Sequence, residues 1–279
     1  ANMLSKTQSL RNIIVCTMSD ILPPIKGFLF KHLKKKDIAP IREQNVVFYN
    51  QLVDNDGLSD PVEINLDEDV AVLQYTGGTT GQPKGAMLSH GNLSANVSQM
   101  KLWFPNLNPG TESVLGVLPL FHVFAMTTVM NFAVAVAAKM ILQPRYELKQ
   151  TLKTIDKKSP TLFPAVPTIY TSINNAVDLS KYDLSAIRYC VSGGAPLPLE
   201  VKHEFEKLTG CNLVEGYGLS ECSPVATCNA LQGANKDGSI GLPVPSTQLS
   251  IHGIENPEEI LEPNQSVEVW FNGPHVMIG

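Results

Sequence analysis

The 279-residue chain holds only five cysteines, Cys16, Cys190, Cys211, Cys222 and Cys228, and no two stand as a CxxC pair. An odd number without that spacing argues against a disulfide framework or a zinc ribbon, and reads as buried thiols in a reducing cytoplasm. Positive charge is also in short supply. Lys and Arg number 21 against 26 Asp and Glu, leaving a formal net charge of −5, the wrong sign for a general nucleic-acid binder. There is no internal repeat and no low-complexity tract. The opening residues, "ANMLSKTQSL", lack the apolar run of a signal peptide. The longest uncharged stretch, 113–138, is interrupted by Pro119, His122 and Asn131, so it reads as strand, loop and helix rather than a membrane span.

What remains is a globular balance, 43% hydrophobic and 17% charged, enough for one large domain or two smaller ones. Residues 23–36, "PPIKGFLFKHLKKK", are locally basic, with Ile25, Phe28, Leu29 and Leu33 on one helical face. An acidic, loop-like stretch, 54–69, follows. The apolar run 70–75, "VAVLQY", is expected to be a strand covered on both faces, as in parallel sheets. Asn92 is expected to cap a helix carrying Leu93, Val97, Met100 and Phe104. Strands at 139–143, 187–191 and 211–215 alternate with helices bearing Leu148, Leu152 and Ile155, and then Leu197, Val201, Phe205 and Leu208 ahead of Gly210. The expected fold class is α/β: mostly parallel sheets flanked by helices. The organisation reads as a partial α/β region over 1–69, an α/β core over 70–237, and the start of a β-rich module over 238–279.

Three polar glycine loops, at 76–85, 192–196 and 216–221, each follow a predicted strand. In open α/β sheets ligands bind at the carboxyl ends of strands, so the three are expected to converge. In "YTGGTTGQPKG", Gly77, Gly78 and Gly81 bring backbone amides close to an anion. Thr76, Thr79 and Thr80 add hydroxyls, and Lys84 adds a point charge. It is not a Walker A loop: Pro83 and Gly85 stand where that pattern needs glycine before the lysine and Ser or Thr after it. A flexible surface loop is the bland alternative. Lys84 reads either as a phosphate contact or as a flanking surface charge, Glu221 as a metal ligand or an exposed loop carboxylate, and His122 as functional or as a satisfied core residue.

The same segment resembles the phosphate-loop motif of the acyl-adenylate-forming superfamily of acyl-CoA synthetases, luciferases and adenylation domains. "LPLFH" (118–122), "SGGAPL" (192–197), "EGYGLSE" (215–221), "GSIGLPVP" (238–245) and "VEVWFNGPHVMIG" (267–279) are similar to its later motifs, in family order over about three-quarters of the chain. Within it, "ILPPIKGFLFKHLKKK" and "FHVFAMT" look most like bacterial long-chain fatty acid–CoA ligases. The resemblance implies the N-terminal domain of that fold, in part, and a two-step reaction. ATP activates a carboxylate to an acyl-adenylate, and the thiol of coenzyme A captures the acyl group.

The resemblance also implies roles. Thr76, Gly77, Gly78, Thr79, Thr80, Gly81 and Lys84 would hold the phosphates, and Glu221 with Thr76 would hold Mg²⁺. Gly193, Gly194, Ala195 and Pro196 would line the adenine pocket together with Glu215, Gly216, Tyr217 and Gly218. Tyr217 would stack on the base, Ser220 would bond the α-phosphate, and His122 would sit near the fatty carboxylate and the CoA entrance. The ribose-binding "TGD" segment and the C-terminal lysine-bearing domain of the family find no match, since Lys236 is the one lysine after Lys207. A catalytically incompetent central fragment of a longer ligase is therefore the expectation. The alternatives are a non-catalytic nucleotide- or acyl-binding module, or a ligase of aryl or short-chain acids. The basic stretch 25–36 is read as a peripheral contact with anionic lipid on the inner membrane face of the cytoplasm.

Overall fold

The computed structural model describes residues 13–35, 38, 46–58, 60–76, 83–233, 235–254, 265 and 267–279. The chain divides into two compact units, 1–63 and 64–279.

In the first unit β1 (Ile13–Val15) and β2 (Val46–Phe48) pair in parallel. Helices α1 (Met18–Ile21) and α2 (Pro24–Leu33) lie between them, and α3 (Tyr49–Leu52) follows. Pro24 opens α2, where a proline costs no hydrogen bond and its φ is preset. Gly27 lets α1 and α2 meet closely, because a Cβ there would stand 2.3 Å from the Ser19 carbonyl oxygen. Ile25, Phe28, Leu29 and Leu33 of the predicted stripe are all exposed. Lys31 pairs with Asp20 at 3.2 Å, and Lys36 lies outside the described residues.

The second unit is built on one long sheet. Its named strands are β5 (Ser113–Gly116), β6 (Lys139–Leu142), β7 (Tyr189–Ser192), β8 (Asn212–Gly218), β9 (Val225–Cys228) and β10 (Leu242–Pro243). β6 pairs in parallel with β5, and β7 with β8; β9 and β10 then run antiparallel. The irregular segment 161–165 joins the two halves through parallel bridges at Leu162 and Ala165. Pro164 has no N–H to give, which interrupts the ladder of this middle segment at one position.

Alternation along the strands decides the two faces. Leu115, Phe163, Cys190 and Leu213 point to one core, packed under α7 (Leu148–Lys158), α8 (Pro167–Asn174) and α9 (Leu199–Thr209). Val114, Leu162, Tyr189, Val191 and Val214 point to the other. That core lies under α4 (His90–Trp103) and a continuous helical run. The run comprises α5 (Val123–Ala125), the π-helical turn Met126–Asn131 and α6 (Phe132–Ala135). Gly210 closes α9 with φ +75°, as its placement predicts.

Four expectations change. Run 70–75 lies in β3 (Val70–Thr76), which is not a parallel strand covered on both faces. It pairs antiparallel with β4 (Lys84–Ser89), and its Val70, Leu73 and Tyr75 are exposed. The cap of α4 is Ser89, whose hydroxyl accepts from the Asn92 amide at 3.1 Å while Asn92 Oδ1 accepts from the Ser89 amide at 2.9 Å. Asn92 is thus the third helical residue of a capping box, since Ser and Asn cap equally well and only tertiary packing chooses between them. Leu197 is buried but precedes α9. Four cysteines are buried free thiols, and Cys16 is exposed. A second hairpin, β11 (Gln248–Gly253) with β12 (Val267–Asn272), completes the unit.

Candidate active site

Parallel strands deliver their carboxyl ends to one edge, and there the loops meet. Beyond β5 the chain turns through Pro119 to His122, whose Nδ1 accepts the Phe124 amide at 3.2 Å and caps α5. That bond leaves the proton of the neutral ring on Nε2 of an exposed side chain. Beyond β7 come Gly193 and Gly194, the latter at φ +80°. Together with Gly216, Tyr217, Gly218 and Ser220 of the β8 end, these residues line a cavity of about 220 Å³ closed by Phe124, Val191, Leu219 and Pro224.

Two glycines set its walls. A Cβ on Gly193 would meet Phe124 Cζ at 3.2 Å and the Gly216 carbonyl oxygen at 3.4 Å, so the ring of Phe124 occupies the space a larger residue would need. A Cβ on Gly218 would lie 2.1 Å from the Pro224 carbonyl oxygen, which no side chain can survive in place. No lining side chain is a carboxylate, lysine or arginine. The walls are backbone and apolar surface joined by the His122 ring and the Tyr217 and Ser220 side chains, a chemistry that accepts a flat, uncharged ring.

Charge stands beside the cavity. Glu221 lies on the 3₁₀ turn Ser220–Cys222 and is half-buried. Its carboxylate makes no hydrogen bond or ion pair among the described residues, and β4 packs against this turn. Lys84 opens β4 opposite Thr76 at the end of β3, and the Thr76 hydroxyl reaches the Lys84 carbonyl at 3.5 Å. Gly77, Gly78, Thr79, Thr80 and Gly81 lie outside the described residues. Ala195 and Pro196 are exposed and do not line the cavity. Glu215 faces away from it and braces the fold: its Oε2 accepts the Leu197 amide at 3.2 Å.

An unpaired carboxylate such as that of Glu221 is a hard-oxygen ligand, and it fits Mg²⁺, which takes one or two carboxylates and fills its shell with phosphate and water. Among the described residues no three His, Cys, Asp or Glu side chains converge, so other ligands would come from hydroxyl, phosphate and water oxygens.

Sequence reasoning missed the supports. Asn96, fully buried on α4, clamps Val225 at the cavity rim: its Nδ2 donates to the Val225 carbonyl at 2.7 Å and its Oδ1 accepts the Val225 amide at 3.1 Å. Thr127 Oγ1 donates to the Ser223 carbonyl at 2.7 Å. Glu112 is buried at the base of β5; burial pushes its carboxyl up, but hydrogen bonds from Arg188, Thr161 and Asn108 outweigh that and hold it below the ordinary range. His275 is fully buried, and burial pushes it down to about 4. Single polar residues inside apolar periods carry no spacing signal. Phe124 and Thr127 stood within "FHVFAMT" and His275 within "VEVWFNGPHVMIG", segments that sequence reading had singled out without giving these residues a role.

The AMP-binding enzyme family profile matches residues 1–279. A long-chain-fatty-acid–CoA ligase of Bacillus subtilis is 43% identical over 271 residues, covering 96% of this chain and 48% of the relative. Among solved structures, a long-chain-fatty-acid–CoA ligase from Archaeoglobus fulgidus superposes with TM-score 0.78 at 24% identity, over 98% of this chain and 55% of that one. An anthranilate CoA ligase in complex with anthranoyl-AMP gives TM-score 0.80 at 21% identity, over 99% and 49%. The chain spans about half the length of the relatives it matches.

Proposed function

Because the chain belongs to the AMP-binding enzyme family, we propose that the whole protein activates a long-chain fatty acid with ATP and transfers it to coenzyme A. The observation that carries this reading is the convergence of His122, Gly193–Gly194 and Gly216–Ser220 on one uncharged cavity, with an unpaired carboxylate, Glu221, at its side.

An oxygen of the acid attacks the α-phosphorus of ATP, and the bond to the departing pyrophosphate breaks. The thiol sulfur of coenzyme A then bonds to the acyl carbon, AMP leaves, and the thiol proton passes to solvent. Such displacement at phosphorus depends on positioning and charge neutralisation. Adenine enters the glycine-walled cavity against Tyr217, and Ser220 bonds the α-phosphate. The loop 76–81 with Lys84 takes the outer phosphates. Glu221 and Thr76 would hold Mg²⁺, which when bound would supply neutralising charge to the phosphates. His122 orients the acid by hydrogen bonding and need not act as a base, since a carboxylate is already ionised at neutral pH. Pyrophosphate release by the full-length protein, with acids from acetate to oleate and an aryl acid, tests this. Turnover peaking at C12–C18 supports it, a peak on aryl or short acids replaces the substrate, and ATP binding without turnover moves the reading to a binding module.

Delivery of a fatty acid gives α2 a role in the same reading. It exposes Ile25, Phe28, Leu29 and Leu33 on one side, flanked by Lys26, Lys31, Lys34 and Lys35, the pattern of a helix lying on anionic lipid. Among the described residues no helix is long and apolar enough to cross a membrane. Flotation on vesicles should require anionic lipid and should fall when Lys31, Lys34 and Lys35 become Glu. Flotation that is unchanged removes the membrane role.

A further inference from the structure

Residues 273–279 form a strap that touches three parts of the second unit. At its start the Pro274 carbonyl accepts Asn92 Nδ2 at 2.9 Å, and His275 Nδ1 accepts Gln99 Nε2 at 3.3 Å, both donors coming from α4. The same Gln99 amide donates to the Pro245 carbonyl at 2.7 Å. In mid-strap the Met277 amide donates to the Glu221 carbonyl at 2.8 Å. At its end the Ile278 amide donates to the Met87 carbonyl at 3.0 Å, and the Gly279 carbonyl accepts the Met87 amide at 2.8 Å. The strap therefore ends hydrogen-bonded to Met87 of β4 while holding the Glu221 turn on the way.

Apart from the Thr127 hydroxyl on the Ser223 carbonyl, the packing of β4 and the buried Cys222 side chain, that turn is fixed by few bonds of its own. It is three residues long, closed by the Cys222 amide on the Leu219 carbonyl at 3.0 Å and followed by Ser223 at φ +68°. The anchor at Met277 thus sets where Glu221 stands relative to β4, the strand that leads out of the glycine-rich loop. His275 is fully buried, and Gly273 makes room for its ring: a Cβ at 273 would stand 3.0 Å from His275 Cε1 and Nδ1. Its Nε2 has no partner among the described residues. An apolar side chain of similar size would fill the site without burying an unpaired polar atom, so the useful part of the ring is the acceptor Nδ1.

We infer that His275 is a positioning residue: held by Gln99, it seats the 273–279 strap and through Met277 fixes Glu221 at the spacing from β4 that a magnesium-bound nucleotide requires. This rests on the reading of Glu221 as the magnesium ligand.

The test measures ATP binding calorimetrically to the full-length protein without acid or coenzyme A, across a magnesium series. His275→Leu should raise the magnesium needed for half-maximal ATP binding about tenfold, or about 1.4 kcal/mol, and leave magnesium-free ATP affinity unchanged. His275→Asn, whose Oδ1 can accept where Nδ1 did, should restore the wild-type requirement. Gln99→Met removes the donor from the α4 side and should reproduce the shift, which keeps the inference testable should His275→Leu fail to fold. Glu221→Gln provides the reference. If Glu221→Gln raises the magnesium requirement while His275→Leu and Gln99→Met do not, the strap inference is wrong. If His275→Leu weakens magnesium-free binding equally, its role is only structural, and the inference is again wrong. If Glu221→Gln changes nothing, the reading of Glu221 is wrong and the inference falls with it.

Discussion

Gly218→Ala puts one methyl group where the cavity wall has no room. β8 and β9 are antiparallel there, with Gly218 opposite Val225. The added Cβ would lie 2.1 Å from the Pro224 carbonyl oxygen, 2.8 Å from its carbon and 3.3 Å from Val225 Cα. All three are backbone atoms, so no rotamer change relieves the overlap. A carbon–oxygen contact settles at about 3.3 Å, so the strands must part by roughly 1.2 Å. The bond from the Leu219 amide to the Pro224 carbonyl, 3.0 Å, is lost at about 1 kcal/mol. Forced displacement adds about 1–3 kcal/mol. A total near 2–4 kcal/mol sits inside the usual margin of about 5–15 kcal/mol, so the protein should fold. At about 2–4 °C per kcal/mol for a unit of this size, Tm should drop by roughly 4–16 °C. Because Tyr217 and Ser220 flank the displaced residue, ATP–pyrophosphate exchange should fall by about 10²-fold, as an ångström of misplacement commonly costs. Scanning fluorimetry and the exchange assay decide it. A Tm within about 2 °C of wild type with exchange intact would mean that the wall yields and the steric argument is wrong.

Other expected outcomes follow from the supports. Glu112→Gln should cost about 2 kcal/mol, less than the 3–5 kcal/mol of a fully buried pair because Arg188 is 39% exposed. Glu112 has a depressed carboxyl, so its contribution is present above the ordinary glutamate value and lost as pH falls through the folded one; the variant's acid denaturation curve should be flatter in that window. His275, ordinarily near 6.5 and here about 4, takes up its proton more readily when unfolded. Wild-type stability should therefore decline by about 3 kcal/mol as pH falls from 6.5 to 4, and His275→Asn should remove that slope. Asn96→Leu leaves the Val225 amide and carbonyl unpaired and should cost about 2–4 kcal/mol in urea unfolding. In a native thiol titration near pH 8, Cys16 should react quickly. Cys222 and Cys228, pushed up to about 12 by burial, should wait for denaturant.

The sequence carried the parts whose signals are periodic or clustered. The alternation of strands and helices from 113 to 215 and the closing Gly210 were legible because apolar spacing and glycine punctuation are local. The meeting of the 193–194 and 216–220 loops followed from strand polarity, and the place of His122 beside them from the family resemblance. The β3–β4 hairpin was not legible, since a run such as "VAVLQY" reads as fully covered until its partner and its exposed face are known. Ser89 and Asn92 offered two equal caps. Asn96, Gln99 and His275 act across 129 to 176 positions of sequence, and no window of a single chain links them.

The segment 161–165 has a consequence for how the molecule opens. Its backbone ties are unevenly shared. Three run to β5: the Leu115 amide to the Leu162 carbonyl at 2.9 Å, and the Thr161 and Leu162 amides to the Ser113 carbonyl at 2.9 and 3.0 Å. Five run to the β7 side: the Arg188 and Tyr189 amides to the Thr161 carbonyl at 2.9 and 3.2 Å, the Phe163 amide to Tyr189 at 3.0 Å, the Ala165 amide to Val191 at 3.1 Å and the Gly193 amide to Ala165 at 3.2 Å. The segment thus belongs with β7 and β8, and the thinner line of bonds is the one toward β5 and β6. Amide hydrogen exchange can tell whether the two sides breathe as one cooperative unit or two. Protection at 115 and 162 equal to that in β7 and β8 would mark a single foldon. Earlier exchange there would mean that the β5–β6 half parts from the rest of the sheet before either half melts.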